Sequence, residues 1–428
     1  MTTPKPLGQL TPKAGIIANT KLLLNRDCNI GRDHEITREL SQLYAKVGGI
    51  SSDENINDWD NVELDSGVAI NPIQAAKCLE ETLRTQMFIK GIYQCLLEKL
   101  SQKHTVNVVY AGTGPYGCLL LPLLALMPNA PIRVSLIDIH KDNTESIQRI
   151  VEHLGIGHQI TSIECADATT WSPKSSVQFD IVISETMTAL LGREPQVAIF
   201  AHLQQFLADD GVLIPKKVSL SAVLVPYESA NLPDIPLGQF FELNRELVRS
   251  LAKGHQDGFT GEIVLPRSFS SIDYQHLSFR TDIQIYRAHW LTFGQCSLNL
   301  SIDYAGLKLE PGGSIKFCYR MTALPKFEFT FPVESMSSVL PEKTELGAIA
   351  VQGIKRFWHR ARLIRDGRHG EAFVEREILT DIALLEKFDV SYHLALSYVC
   401  EYQPSFDEFE AWLLYTKESN SSFLTSRA

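Results

Sequence analysis

Val106-Asn107-Val108-Val109-Tyr110-Ala111-Gly112-Thr113-Gly114-Pro115-Tyr116-Gly117 is the stretch on which the fold turns. A near-continuous apolar run that ends in glycines reads as a strand buried on both faces. The glycines permit a tight turn and let backbone N–H groups approach a ligand closely. Outward from it, a helix is expected from Tyr116, a strand at 134–140 (VSLIDIH), and a helix from Asn143. Strands follow at 160–167 (ITSIECAD) and 179–185 (FDIVISE), then a helix from Gln196 and a strand at 211–217 (GVLIPKK). Strand and helix in alternation predict an α/β, Rossmann-like domain with a mainly parallel sheet and helices on both faces.

Ligands of such sheets lie beyond the carboxyl ends of the strands, near the switch in strand order. Asp138 ends the second strand, 24 residues after Gly114, where an acidic side chain can take both hydroxyls of a ribose. Asp167 ends the third strand, beside the expected place of an adenine ring, although an aspartate there also serves as a helix cap. A dinucleotide wants its glycines across a pyrophosphate and a helix beginning at once. Pro115 and Tyr116 occupy that stretch, and the glycine spacing is off by one. S-adenosylmethionine, which has no phosphate, suits the loop better.

The fourth strand ends in Ser184-Glu185-Thr186-Met187, and Glu194 follows nine residues after Glu185. Two carboxylates on one loop at this edge can grip a planar cation by bidentate hydrogen bonds, and the cation that fits is a guanidinium. The simpler reading of Glu194 is a solvated side chain paired with Arg193.

Composition sets the outer bounds. The 428 residues are 44% hydrophobic and 21% charged, the make-up of a folded protein rather than a disordered one. Forty Lys and Arg against 50 Asp and Glu leave a formal net charge of −10, which argues against a nucleic-acid binder and fits a cationic substrate. The longest strongly apolar stretch, Cys118 to Met127, is half the ~20 residues a membrane-spanning helix needs. The expectation is therefore a soluble, cytoplasmic protein without membrane contact. The eight cysteines form no CxxC pair and no zinc-ligand spacing, so no metal is expected.

Four regions are expected: an irregular arm over 1–60, the Rossmann-like domain with N-terminal lid helices over 61–217, an antiparallel β domain over 218–335, and a helical C-terminal extension over 336–428. Within the first domain, 71–100 reads as a helix pair or one long helix. Within the second, Leu237–Ala252 reads as a helical insertion that carries Phe240, Phe241, Leu243, Leu247, Val248 and Leu251. PSFDEFEAWLLY at 404–415 reads as a packing or docking helix.

Several motifs, in order from about Glu81 to Met321, resemble those of the protein arginine N-methyltransferases. Glu81-Thr82-Leu83-Arg84-Thr85 is similar to the family's acidic-x-x-Arg-Thr helix, AGTGPYG to its glycine loop, and ISETMTALLGRE to its double-glutamate loop. LADDGVLIP at 207–215 resembles the strand before the family's β-barrel. Ala288-His289-Trp290 resembles its Thr-His-Trp loop, and GLKLEPGGSIKF the barrel strands after it. The chain departs from the pattern at Val108, where an acidic residue is usual, and at Ala288. The resemblance implies a class I fold with a β-barrel domain, and S-adenosylmethionine held by Arg84 (carboxylate), Gly112, Gly114, Asp138 (ribose) and Asp167 (adenine). It implies N-methylation of a guanidino group, in free arginine, a small metabolite or a peptide. Glu185 and Glu194 would bind and orient that group, His289 would take part in proton transfer, and Trp290 would stand on the substrate side. It also implies a homodimer docked through the 237–252 arm. A methyltransferase of the same fold acting on a non-guanidino acceptor is the alternative.

Overall fold

The computed structural model describes residues 11–25, 30–56, 59–226, 232–252, 259–304, 307–331, 348–365, 381–382, 384–385, 388 and 390–425. The chain forms two units, Met1–Ser338 and Val339–Ala428.

The N-terminal region is helical where the sequence predicts an irregular arm: α1 (Pro12–Asn25) and α2 (Ile30–Gly48) come first. Ile16 and Leu23 on α1 and Ile36, Leu40 and Tyr44 on α2 are buried, but so are Asn19, Thr20, Thr37 and Ser41. The hydroxyl of Thr20 donates back to the Ile16 carbonyl at 2.7 Å, and that of Thr37 lies 3.1 Å from the Thr82 hydroxyl. Polar groups satisfied inside the helical layer blur the hydropathy period from which a helix would be read. A hairpin of β1 (Val62–Leu64) and β2 (Gly67–Ala69) follows, then the helix pair α3 (Pro72–Cys78) and α4 (Thr82–Gln102). Asn71 caps α3 by accepting from the Gln74 N–H at 3.0 Å, and Pro72 takes the first helical position, which needs no donor.

The central sheet is built from β3 (Val106–Ala111), α5 (Leu121–Leu126), β4 (Ile132–Asp138), α6 (Lys141–Leu154), β5 (Ile160–Cys165), β6 (Phe179–Ser184), α7 (Gln196–Leu203) and β7 (Leu207–Ile214). Its order is β5-β4-β3-β6-β7 with every neighbouring pair parallel. The order reverses at β3, between β4 and β6, and that switch point is where ligands of such sheets bind. The helix after the glycine turn begins at Leu121 rather than Tyr116. Tyr116 is a buried anchor instead: its hydroxyl donates to the Ile50 carbonyl at 2.7 Å and its ring stacks on Tyr44 at 5.4 Å.

The antiparallel part comprises β8 (Lys217–Val225), β9 (Ile235–Asn244), α8 (Arg245–Ala252), β10 (Thr260–Val264), β11 (His276–Tyr286), β12 (His289–Leu291), β13 (Ile302–Tyr304), β14 (Ser314–Arg320) and β15 (Lys326–Thr330). One sheet runs β12-β11-β8-β9 with β13 also on β11, and a second runs β10-β14-β15. Among the described residues no ladder joins the two, so they do not form a closed barrel. An aromatic layer lies between them, with Phe240 from β9 set edge-on to Phe279, Phe317, Phe327 and Phe329 at 5.1–6.0 Å.

The expected helical arm is therefore corrected. Residues 237–244 are strand, and only 245–252 are helix. The ladder skips Phe240, since Leu220 faces Phe241 while Ser221 faces Gln239. Such a bulge lets two successive phenylalanines both reach apolar surroundings, a pattern that mimics a helix in sequence. Val248 on α8 is fully buried, and the Arg245 guanidinium donates to the carbonyls of Asp209 and Gly211 at 2.8 and 2.6 Å. Phe241, Leu243 and Val248 are buried, and Phe240, Leu247 and Leu251, partly buried, pack against the same core.

In the second unit, α9 (Ala348–Arg365), α10 (Tyr392–Tyr402) and α11 (Phe406–Thr425) enclose a separate core. Ser405 and Glu408 cap α11 reciprocally: the Ser405 N–H donates to Glu408 at 2.8 Å, and the Glu408 N–H to the Ser405 hydroxyl at 3.3 Å. Phe409 and Leu413 face this core, and Trp412 stacks on Tyr398 at 4.2 Å, so the 404–415 motif is a packing helix. No helix among the described residues is long and apolar enough to cross a membrane.

Phe240→Ala is expected to destabilise the protein by about 3 kcal/mol, the usual cost of emptying an aromatic site. Urea unfolding measures it, with light scattering on the same samples. An unchanged midpoint would show that Phe240 contributes nothing to the aromatic layer.

Candidate active site

A cavity opens over the carboxyl ends of β3, β4, β5 and β6, and the β1–β2 hairpin, α3 and the first turn of α4 form its other wall. Arg84, Gly112, Gly114, Asp138, Asp167, Glu185 and Glu194 all line it. Gly112 and Gly114 have φ of 71° and 58°, left-handed values that favour glycine. A Cβ on Gly112 would fall 2.3 Å from Cγ2 of Thr186, so the turn also needs glycine for space.

Asp138 is buried and fastens this turn to the end of β4. Its Oδ2 accepts from the Gly114 N–H at 2.9 Å and the Thr113 hydroxyl at 3.3 Å. Its Oδ1 accepts from the His140 N–H at 2.9 Å and Asn143 Nδ2 at 3.0 Å. Burial raises its pKa even so. Asp167 accepts from the N–H and hydroxyl of Thr169 at 2.8 and 2.7 Å, closing the turn after β5 while its segment forms cavity wall.

The same cavity wall carries a charged cluster. Arg84, in the first turn of α4, is buried and bonds Glu81 at 3.2 Å and Glu185 through a second nitrogen. Glu185 Oε1 is buried without a hydrogen-bond partner, and burial raises the pKa of this carboxyl against the pull of Arg84. Glu194 is 7% exposed; burial, then the charge of Glu185, push it up to about 8. It is not a solvated surface glutamate. At this end of the cavity the Arg84 guanidinium thus meets two carboxyls, Glu185 bonded to it and Glu194, whose pKa of about 8 favours its protonated form at neutral pH.

His289 and Trp290 lie on β12, and neither lines this cavity. Burial, then Lys90, lower the pKa of His289, and Lys217 Nζ stands 5.3 Å from the Trp290 ring centroid. Sequence reasoning missed the hairpin residues Leu64, Ala69 and Ile70, which line the wall near Glu194. The signal available was Asp65-Ser66-Gly67, a turn with glycine at φ 148°. Cys78 and Cys118 on the wall gave none.

Glu194 has a consequence for stability. Its native pKa of about 8 lies above the ordinary value, so the native state holds a proton that the unfolded chain releases. The stabilisation is complete below the unfolded pKa and is lost as pH rises through about 8. Glu194→Gln should therefore gain stability over wild type between pH 5 and pH 8, by up to roughly 4 kcal/mol at the upper end. Urea midpoints at the two pH values measure this. An equal difference at both would mean that Glu194 titrates like a surface residue.

No protein-family model and no curated protein matches the chain. Among solved structures it is similar to the Trypanosoma brucei PRMT1 enzyme–prozyme heterotetrameric complex with AdoHcy, at 15% identity and a TM-score of 0.40, over 57% of this chain and 86% of that one.

Proposed function

We propose that the protein is an S-adenosylmethionine-dependent N-methyltransferase acting on a guanidino group. The observation that carries this reading is the pair Glu185 and Glu194, with Glu194 buried and the Glu185 side chain 8% exposed, on the wall of one cavity at the switch point of a parallel sheet.

The cavity suits that cofactor. Apolar Ile137, Ile139 and Ala168 stand on its wall beside His140 Nε2 and Asn143 Oδ1, two buried atoms that lack hydrogen-bond partners. The helix after the glycine turn starts too late to present its N-terminus to a pyrophosphate. Arg84 has five N–H donors, of which Glu81 and Glu185 engage two, leaving others for a carboxylate. S-adenosylmethionine, when bound, supplies a methyl group on a positively charged sulfur.

The chain's own residues then act on the acceptor. A guanidinium enters charged, since its pKa exceeds 12. Glu185 Oε1 and Glu194 accept its N–H groups and hold one nitrogen in line with the methyl carbon. The incoming cation favours the ionised form of Glu194, so binding releases a proton from that carboxyl. Near neutral pH the same group is basic enough to take up the proton that the methylated nitrogen sheds. The raised pKa of Glu194 supports a second reading, a non-guanidino acceptor in a methyltransferase of the same fold.

Two outcomes are expected. Transfer of labelled methyl to arginine or arginine peptides should show kcat/KM rising with pH to a plateau above about 8, because the free enzyme must ionise Glu194 to bind a cation. Glu194→Gln should flatten that profile and lower kcat/KM by about 10²–10⁴ with cofactor affinity unchanged. Wild-type-like transfer by the variant, or no transfer by wild type to any guanidino compound, would move the second reading ahead. Separately, Asp138→Ala should weaken S-adenosylmethionine binding by about 1–3 kcal/mol in calorimetry, and unchanged affinity would remove Asp138 from the cofactor site.

A further inference from the structure

The backbone that delivers Glu194 follows a course its own sequence does not favour. Leu190, Leu191 and Arg193 have φ of 59°, 52° and 64°, left-handed values at three residues that carry a Cβ. Such a run persists only where the surroundings over-determine it. Here the restraints come from outside the parallel sheet. On β11, the Thr281 hydroxyl accepts from the Leu190 N–H at 3.0 Å. On β14, the Tyr319 hydroxyl donates to the Leu191 carbonyl at 2.8 Å. Just before β15, the Pro325 carbonyl accepts from the Arg193 N–H at 2.7 Å. From the β1–β2 hairpin, the Val68 N–H donates to the Arg193 carbonyl at 2.8 Å, and Gly67 lies so near that a Cβ there would be 2.7 Å from the Pro195 nitrogen. Thr281 and Tyr319 are both buried, so water does not readily replace either hydroxyl.

We propose that Thr281 and Tyr319 are positioning residues for Glu194, through which the antiparallel sheets hold the left-handed 190–193 backbone and keep the Glu194 carboxyl beside Glu185. What this does for turnover rests on the proposed role of Glu194 in the acceptor site; what it does to Glu194 itself does not. A role confined to stability would lower unfolding midpoints and leave the environment of Glu194 in the folded protein as it was.

The test uses the full chain with Thr281→Val, Tyr319→Phe and the rescue variant Thr281→Ser. Tyr319→Phe removes one oxygen and keeps the ring against Phe327, 4.8 Å away, so it is expected to fold, which circular dichroism checks. In protein carrying carbon-13-labelled glutamate, the Glu194 carboxyl is assigned by its loss in Glu194→Gln and titrated without ligand. Thr281→Val and Tyr319→Phe are expected to lower its midpoint by at least one pH unit, and Thr281→Ser to restore it. They should also lower kcat on a guanidino acceptor 10- to 100-fold with cofactor affinity within twofold of wild type. A midpoint in Tyr319→Phe equal to that of wild type overturns the proposal. If wild type methylates no guanidino compound, the functional reading fails and the titration alone decides the positioning role.

Discussion

Burial of the Arg84–Glu185 ion pair is the constraint around which the rest of the first unit is arranged. Arg84 comes from the first turn of α4 and Glu185 from the residue after β6, so the pair joins the N-terminal helices to the central sheet. Taking both charges out of water is costly, and removing either partner would leave the other uncompensated. The pair thereby ties the order of the α3–α4 cover to the integrity of the sheet edge. It also leaves one Glu185 oxygen buried without a hydrogen-bond partner on the cavity wall.

Among the described residues Glu194 has no such ion-pair partner, and that difference separates two glutamates on one loop. Both carboxyls are raised by burial, but Arg84 pulls Glu185 back while the charge of Glu185 pushes Glu194 further up. Titratable groups held apart by their surroundings are what acid–base chemistry at neutral pH requires. The left-handed 190–193 backbone is held by hydrogen bonds from the antiparallel sheets, which pack on each other through the aromatic layer. Those sheets thus contribute to the site without supplying a residue to the cavity wall.

The sequence by itself determined what depends on neighbours along the chain. The buried parallel strands are legible as apolar runs, Gly112 and Gly114 as residues of a tight turn, and 71–100 as an apolar helical period, which the structure resolves into a helix pair. Because parallel topology brings strand ends to one edge, the order of the strands along the chain is enough to place Asp138, Asp167, Glu185 and the loop to Glu194 together. Only the tertiary structure decided the rest. It buried the polar face of α1 and α2, drew Phe240 and Phe241 into a bulged strand, put His289 and Trp290 on a strand away from the cavity wall, and bent Leu190, Leu191 and Arg193 into left-handed backbone. The left-handed backbone in particular runs against local propensity. It is held by groups 91 and 128 residues away, Thr281 on Leu190 and Tyr319 on Leu191, and a contact of that separation leaves no period in the sequence.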